Sequence, residues 1–158
     1  MRAFEIGPED TQALTALDAL CFPSHTAFSR REFRRLVASP HVVGRRVEIV
    51  GALVGFVLAA AYGERGEIVT IDVHPAFRRR GLGRGLLRWA HAAMQSRGVR
   101  VAGLHVRSDN LGAVGLYESE GYTVVRRVPG YYADSSDALE MVRTLGDGPA
   151  EDGAGGCG

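Results

Sequence analysis

The segment Phe77–Trp89, with the sequence FRRRGLGRGLLRW, places five arginines and three glycines between a strand-like and a helix-like stretch. The N–H groups that open a helix have no acceptor within it, and the helix dipole adds partial positive charge there. Because Gly81, Gly83 and Gly85 carry no side chain, a ligand can approach the backbone closely. The arginines that can add charge-assisted hydrogen bonds are Arg78, Arg79, Arg80 and Arg84. The segment is therefore a candidate site for a di- or polyanion.

Two nucleotide-binding motifs do not fit this segment. A P-loop needs Gly-Lys-Ser/Thr, but all 19 basic residues of the chain are arginines. The dinucleotide fingerprint needs G-x-G-x-x-G and a later acidic residue, whereas the glycines here follow G-x-G-x-G and residues 95–107 contain no acid. An RNA-binding patch would need a ladder of aromatic residues between the arginines. A cofactor-phosphate site and a solvated turn both remain open on these residues alone.

Three motifs in chain order resemble the GNAT family of N-acetyltransferases. VHPAFRRRGLGRGLL is similar to its acetyl-CoA signature, Arg/Gln-x-x-Gly-x-Gly/Ala, here Arg78-Arg79-Arg80-Gly81-Leu82-Gly83. LHVRSDNLGAVGLYESEGY resembles the second motif, an Asn, an Ala, a Leu-Tyr pair and a Gly-aromatic pair. YYADSSDALEM resembles the C-terminal strand pair of the branch that acetylates protein N-termini, which includes ribosomal-protein acetyltransferases. The resemblance covers residues 1–145, which we expect to form one acetyltransferase domain.

The resemblance implies that acetyl-CoA is the cosubstrate. It assigns the edge of the strand at Ile71–Val73 to the pantetheine arm and the acetyl carbonyl, with the Val73 N–H stabilising the oxyanion. It assigns the pyrophosphate to the backbone amides of Arg79–Arg84. Asp72 alternates away from its two neighbours and is expected to be structural. The residues assigned to acetyl-CoA are Ile71, Asp72, Val73, Arg78, Arg79, Arg80, Gly81, Leu82, Gly83, Arg84, Asn110 and Tyr117.

Two of these residues lie in the second motif. The resemblance implies that Asn110 contacts the cofactor arm and that Tyr117 donates a proton to the leaving thiolate. Each has a structural alternative, because an Asn at this place can cap the following helix and a Tyr on an apolar helix face can belong to the core.

A catalytic base is expected at Glu67 and His105. Acetyl transfer needs a neutral amine, and an α-amino group has a pKa of about 8. Many bacterial members of the branch carry Glu at the position of His105. This chain departs from them and is similar to a eukaryotic N-terminal acetyltransferase, which has His there and Tyr at the position of Glu67. Strand alternation puts Glu67 on the side of Ile71 and Val73. The alternative is a core histidine and a surface acid.

The substrate entrance is predicted at two loops. Tyr131 and Tyr132 lie in PGYYADSSD, where a plain turn needs no aromatic residue. In the branch that this chain resembles, this loop and the loop between the first two helices, here Phe22–Phe28, flank the entrance for the N-terminus of the substrate. Substrate contacts are therefore expected from Phe22, Tyr131 and Tyr132, with selectivity for α-amino groups.

The elements that must position these residues follow the order β-α-α-β-β-β-α-β-α-β-β. Ser29 and Glu32 form a capping box before the second helix, Gly51 divides a hairpin, and Pro75 ends a β-branched strand. The apolar residues expected to share one face of the first helix are Leu14, Leu17 and Leu20. The pattern predicts an α/β (α+β) fold in which a single mixed, mainly antiparallel sheet of about seven strands carries about four helices. Residues 146–158 are predicted to be a glycine-rich disordered tail.

Composition excludes other classes of protein. The chain has 158 residues and a net charge of +1, so no strong overall field attracts nucleic acid or a membrane. Cys21 and Cys157 are too distant in sequence to suggest a disulfide framework or a metal site. We expect a cytoplasmic monomer or weak homodimer with no metal and no specific nucleic acid. Two alternatives stay open, namely a transferase for small-molecule amines and a non-catalytic module that senses acetyl-CoA or binds RNA.

Overall fold

Along the described residues, 1–22 and 26–146 of this computed structural model, seven strands and four α-helices follow one another in the predicted order. The strands are β1 (Arg2–Glu5), β2 (Val42–Ile49), β3 (Ala52–Tyr62), β4 (Arg65–Val73), β5 (Val101–Arg107), β6 (Thr123–Val128) and β7 (Ala138–Thr144). The helices are α1 (Thr11–Cys21), α2 (Arg30–Ala38), α3 (Leu82–Ser96) and α4 (Leu111–Ser119). The predicted tail lies outside the described residues, apart from Gly146.

The seven strands form one sheet in the order β1-β2-β3-β4-β5-β7-β6. β4 pairs in parallel with β5, whereas β1 with β2, β2 with β3, β5 with β7 and β6 with β7 are antiparallel. The sheet is therefore mixed and mainly antiparallel, which confirms the predicted fold class. Contacts divide the chain into two compact units, Met1–Ala60 with Ile68–Ala90, and Ala61–Glu67 with the described residues from His91 onward.

The core of the first unit is built from α1, α2 and β3. Leu14, Leu17 and Phe33 are buried, and the Phe33 ring packs edge-on against Phe56 with centroids 5.8 Å apart. The prediction for Leu20 is wrong, because its side chain is 60% exposed. Each helical residue turns by about 100°, so two successive steps of three residues drift away from the buried face.

Local signals set the ends of two elements in this unit as predicted. The Ser29 side chain accepts the Glu32 N–H at 3.1 Å, and the Glu32 carboxylate accepts the Ser29 N–H at 2.8 Å, so the capping box is confirmed. Val50 and Gly51 connect β2 to β3 with φ of 52° and 76°, the left-handed region that a tight hairpin turn requires. The predicted division of the hairpin is therefore confirmed.

The second unit contains a buried polar chain beside its apolar core. The Arg143 guanidinium donates to Nδ1 of His91 at 3.0 Å, so Nε2 carries the ring proton, and Nε2 lies 2.8 Å from the Tyr122 hydroxyl. Burial and the charge of Arg143 lower the pKa of His91 to about 4. The Tyr122 ring packs edge-on against the Tyr117 ring, with centroids 5.8 Å apart. The hydrogen bonds from Arg143 through His91 to Tyr122 therefore hold a ring that contacts Tyr117. Over the described residues, no helix is long and apolar enough to cross a membrane.

Candidate active site

The arginine–glycine segment is the start of α3 and the loop before it. α3 begins at Leu82, and the Gly85 N–H donates to the Gly81 carbonyl at 3.0 Å. Gly85 was expected to expose its backbone with the other two glycines, but its amide is already used inside the helix. The first turn still leaves the N–H groups of Leu82 and Gly83 without acceptors within the helix, and these are the amides that an anion can reach.

The loop before α3 has an unusual backbone. Arg79 adopts φ of 66° and Gly81 φ of 81°, and a left-handed conformation is uncommon for a residue with a side chain. Arg78 donates from Nε to the Val73 carbonyl at 3.0 Å, and the Arg80 guanidinium lies 5.3 Å from the Phe77 ring centroid. All three arginines remain exposed, so their charges can face an anion at the helix start.

The end of β4 lies in the same unit as this loop. Ile71 and Val73 are half-buried, whereas Asp72 is 1% exposed and accepts the Thr70 hydroxyl at 2.7 Å. The Asp72 side chain is thus on the inner face, opposite to that of its neighbours. Ile71 and Val73 follow the paired segment Arg65–Glu67 of β4, and their backbone is the part that the resemblance assigns to the cosubstrate.

In the other unit, α4 carries Asn110 and Tyr117. Asn110 is the N-cap, and its side-chain oxygen accepts the Ala113 N–H at 3.2 Å, so the structural alternative for Asn110 is observed. The cap does not use the side-chain amide nitrogen, which leaves a second role for Asn110 possible. Tyr117 is 9% exposed and packs against Tyr122, so its ring is held in one position.

A cleft of about 220 Å³ in this unit brings together Glu67 and His105. Glu67 stands opposite Gly103 in the parallel pairing of β4 with β5, and His105 lies two residues further along β5. The two side chains line one cleft, but among the described contacts no hydrogen bond joins them. The two residues of the predicted carboxylate–imidazole pair therefore line the same cleft without a hydrogen bond between them in the described contacts.

Tyr131 packs against His105, one of the residues that line this cleft. Its ring stacks on His105 with centroids 4.6 Å apart and planes 8° from parallel. Nδ1 of His105 is buried and has no hydrogen-bond partner in the described part of the chain. Tyr132 packs edge-on against Tyr131 at 4.9 Å and lies under the Arg107 guanidinium. Tyr131 thus contacts the candidate base His105, and Tyr132 packs against Tyr131.

Glu140 is a cleft residue that the sequence analysis missed. It pairs directly with His105 across β5 and β7 and accepts Arg126 Nε at 2.9 Å. A carboxylate between Leu139 and Met141 in a strand was the available signal. Burial, Glu67 and Glu140 raise the pKa of Tyr131, so its phenol stays protonated and can donate a hydrogen bond.

The prediction for the loop Phe22–Phe28 can be followed only at Phe22 and from Thr26 onward, where the chain is described. Phe22 ends α1, its N–H donates to the Asp18 carbonyl at 3.0 Å, and its side chain is half-buried. In the described residues, no cluster of His, Cys, Asp and Glu side chains could hold a metal ion.

The chain is similar to one protein family and to several named proteins. Residues 11–122 match the family model described as "Acetyltransferase (GNAT) family". The chain is 38% identical over 145 residues to N-alpha-acetyltransferase RimI of Mycobacterium tuberculosis, covering 87% of this chain and 89% of that protein. It is 31% identical to the NAA10 catalytic subunit of the N-terminal acetyltransferase A complex of Arabidopsis thaliana, covering 87% and 74%. The crystal structure of the ribosomal-protein-S18-alanine N-acetyltransferase from Escherichia coli shares the fold, with a TM-score of 0.82 at 24% identity over 91% and 93%.

Proposed function

This chain belongs to the acetyltransferase (GNAT) family, and we propose that it transfers the acetyl group of acetyl-CoA to the α-amino group of protein N-termini. The observation that carries the acceptor class is the stacking of Tyr131 on His105, which lines one cleft together with Glu67 and Glu140. An extended peptide end can enter such an open cleft, and the phenol can bind its backbone.

The cosubstrate is acetyl-CoA, and the first compact unit offers groups that suit it. The amides of Leu82 and Gly83 at the start of α3 are placed to bind the pyrophosphate, and the exposed Arg78, Arg79 and Arg80 add charge. The backbone of Ile71–Val73 on β4 is assigned to the pantetheine arm and the acetyl carbonyl. The structural observation that supports a pyrophosphate at the loop is the left-handed φ of Arg79.

The second unit offers groups that suit the acceptor amine. Most α-amino groups are protonated at neutral pH, so a proton must leave before attack on the thioester carbon. In this proposal, His105 takes that proton, directly or through water, and Glu67 and Glu140 favour binding of the ammonium form. Tyr131, which stays protonated, donates a hydrogen bond to the peptide.

The acetyl group passes directly to the amine in this proposal. The amine nitrogen adds to the thioester carbon to give a tetrahedral oxyanion. The carbon–sulfur bond breaks when this intermediate collapses, the nitrogen releases its extra proton to water, and Tyr117 gives its phenolic proton to the thiolate. Cys21 suits an acyl-enzyme poorly, because burial, followed by the charge of Asp72, raises the pKa of its thiol to about 11. Its S–H also donates to the Val73 carbonyl at 3.4 Å.

Acceptor selectivity is the direct test of this function. We expect a peptide with a free N-terminus and no lysine to be acetylated at least about tenfold faster, by kcat/KM, than the same peptide with a blocked N-terminus and an internal Lys. An internal Lys has peptide chain on both sides, so its side-chain amine cannot enter the cleft as deeply as the amine of a free N-terminus. Mass spectrometry of the products locates the acetyl group. Equal rates on the two peptides would contradict the N-terminal function.

Free amino acids, polyamines and short peptides assayed side by side separate the remaining alternatives. Faster turnover of a free amine than of any peptide would indicate a small-molecule transferase. Tight RNA binding at physiological salt without release of CoA would indicate a non-catalytic module.

We place the reaction in the cytoplasm, where acetyl-CoA meets new protein N-termini, and propose a monomer or weak homodimer.

The two tyrosines of the β6–β7 loop are predicted to have unequal roles. Tyr131→Ala removes the ring that stacks on His105, so we expect the peptide KM to rise about tenfold or more. Tyr132→Ala removes a ring that packs behind Tyr131, so the rise should be smaller and the loss of thermal stability larger. Steady-state kinetics with the free peptide, at saturating acetyl-CoA, measures both effects. An unchanged peptide KM in both variants would make these tyrosines structural.

A further inference from the structure

Two buried carboxyl groups in the first compact unit face each other. Asp18 on α1 and Asp72 on β4 are each 1% exposed, and the Asp18 carboxyl group lies close enough to that of Asp72 to raise its pKa. Asp18 Oδ2 accepts the Phe28 N–H at 2.7 Å, and Asp72 Oδ1 accepts the Thr70 hydroxyl at 2.7 Å. Oδ1 of Asp18 and Oδ2 of Asp72 are buried and receive no donor from any described residue.

Two ionised carboxylates cannot form this contact. Both would be acceptors without a donor between them, and two buried like charges repel each other strongly. The charged or titratable groups acting on Asp72 from the elements around it are Asp18 and Cys21 on α1 and Arg78 after β4. Cys21 is a protonated thiol at neutral pH, and Arg78 is exposed and therefore screened by solvent. One proton between the two orphaned oxygens satisfies both of them.

We propose that Asp18 and Asp72 share a single proton and that this acid pair positions the cosubstrate strand of the active site. Asp72 lies between Ile71 and Val73, so its anchor holds the strand segment assigned to acetyl-CoA; this role rests on the proposed function. Burial, followed by the Asp18 carboxyl group, raises the pKa of Asp72 well above its ordinary value, in agreement with a retained proton.

The pair also fixes the end of α1 and the start of the next segment. Asp18 is in the last turn of α1 and holds Phe28, which directly precedes the cap of α2. Three residues after Asp18, the Cys21 thiol donates to the Val73 carbonyl, which also accepts from Arg78. The last two residues of β4 are thus both held, Asp72 by the acid pair and Val73 by the hydrogen bonds from Cys21 and Arg78. Asp18 and Asp72 are therefore positioning residues, which do not need to touch either substrate.

The shared proton makes stability depend on pH in a defined direction. The pKa of Asp72 is higher in the folded state than the value of about 3.9 expected in the unfolded chain. The contribution of the retained proton to the free energy of unfolding is complete below the pKa of the unfolded chain. It is lost as pH rises through the pKa of the folded state. An Asn at position 72 donates permanently from its amide and should not show this loss.

The test compares Asp72→Asn with the near-isosteric Asp72→Leu in the full chain. Urea unfolding midpoints are measured from about pH 5 to about pH 8.5, without substrates. The midpoint of Asp72→Asn should exceed that of the parent protein by a margin that grows with pH. The midpoint of Asp72→Leu should be lower throughout. A margin that stays constant with pH, or an Asp72→Asn variant that does not fold, would overturn the shared proton.

Two further measurements test whether the acid pair positions the segment of β4 that is assigned to acetyl-CoA. In Asp72→Leu, the Phe28 amide should exchange with deuterium at least about tenfold faster and the KM for acetyl-CoA should rise about tenfold, with kcat changing less. Asp72→Asn should restore both values to those of the parent. Asp18→Asn, whose amide can also supply the donor, should behave like Asp72→Asn. If Asp72→Leu folds and keeps the parental exchange rate of the Phe28 amide and the parental KM for acetyl-CoA, the positioning role would be overturned. Because unfolding and exchange are measured without substrate, they do not depend on the acceptor being a protein N-terminus.

Discussion

Replacing Tyr117 by Phe is expected to lower kcat about a hundredfold or more while changing the affinity for acetyl-CoA less than about threefold. In the proposed mechanism, the phenol gives its proton to the thiolate only as the carbon–sulfur bond breaks, so its contribution belongs to the transition state. The ring itself is 9% exposed and packs against Tyr122 at 5.8 Å, and Phe preserves that packing. Removal of a single oxygen atom thus separates chemistry from packing.

Tyr122→Phe is the matched control for this prediction. It also removes a phenolic hydroxyl in the same unit, but that hydroxyl is bonded to the buried His91. We expect a loss of stability with kcat within about fivefold of the parent value. Stopped-flow or steady-state release of CoA, together with the dissociation constant of acetyl-CoA, measures both variants. A Tyr117→Phe variant that loses turnover and cosubstrate affinity equally would make Tyr117 a packing residue.

Replacing Gly83 by Val is expected to raise the KM for acetyl-CoA at least about tenfold, with a smaller effect on kcat. Gly83 lies in the first turn of α3, where its N–H has no acceptor within the helix. A branched side chain there blocks the approach of a pyrophosphate to the amides.

Gly85→Val controls for the effect of valine on helix stability. The position lies in the same turn, its N–H is already bonded to the Gly81 carbonyl, and a side chain there meets nothing within 4 Å. Both substitutions therefore change the helix propensity to a similar, small extent, and only Gly83→Val should change the KM. Isothermal titration with acetyl-CoA gives an independent measure. Equal effects of the two substitutions would mean that the segment is only a helix start.

The order of elements was predictable because its signals are local. Ser29 with Glu32 opens α2, Gly51 supplies the positive φ of a hairpin turn, and Pro75 follows the end of β4. Each effect depends on backbone geometry within a few residues. The same local reasoning was wrong for Leu20, because spacing alone does not show which part of a helix surface is covered.

The sequence by itself therefore determined the fold class, the family resemblance and the glycine-rich helix start, since these depend on short motifs. Only the tertiary structure placed Glu140 opposite His105, stacked Tyr131 on that imidazole, and joined Asp18 to Asp72. Strand register is set by the free energy of the whole sheet and its packing, which no short window contains. The meeting of two buried carboxyl groups likewise depends on burial and on a shared proton, neither of which is written in the spacing of the residues.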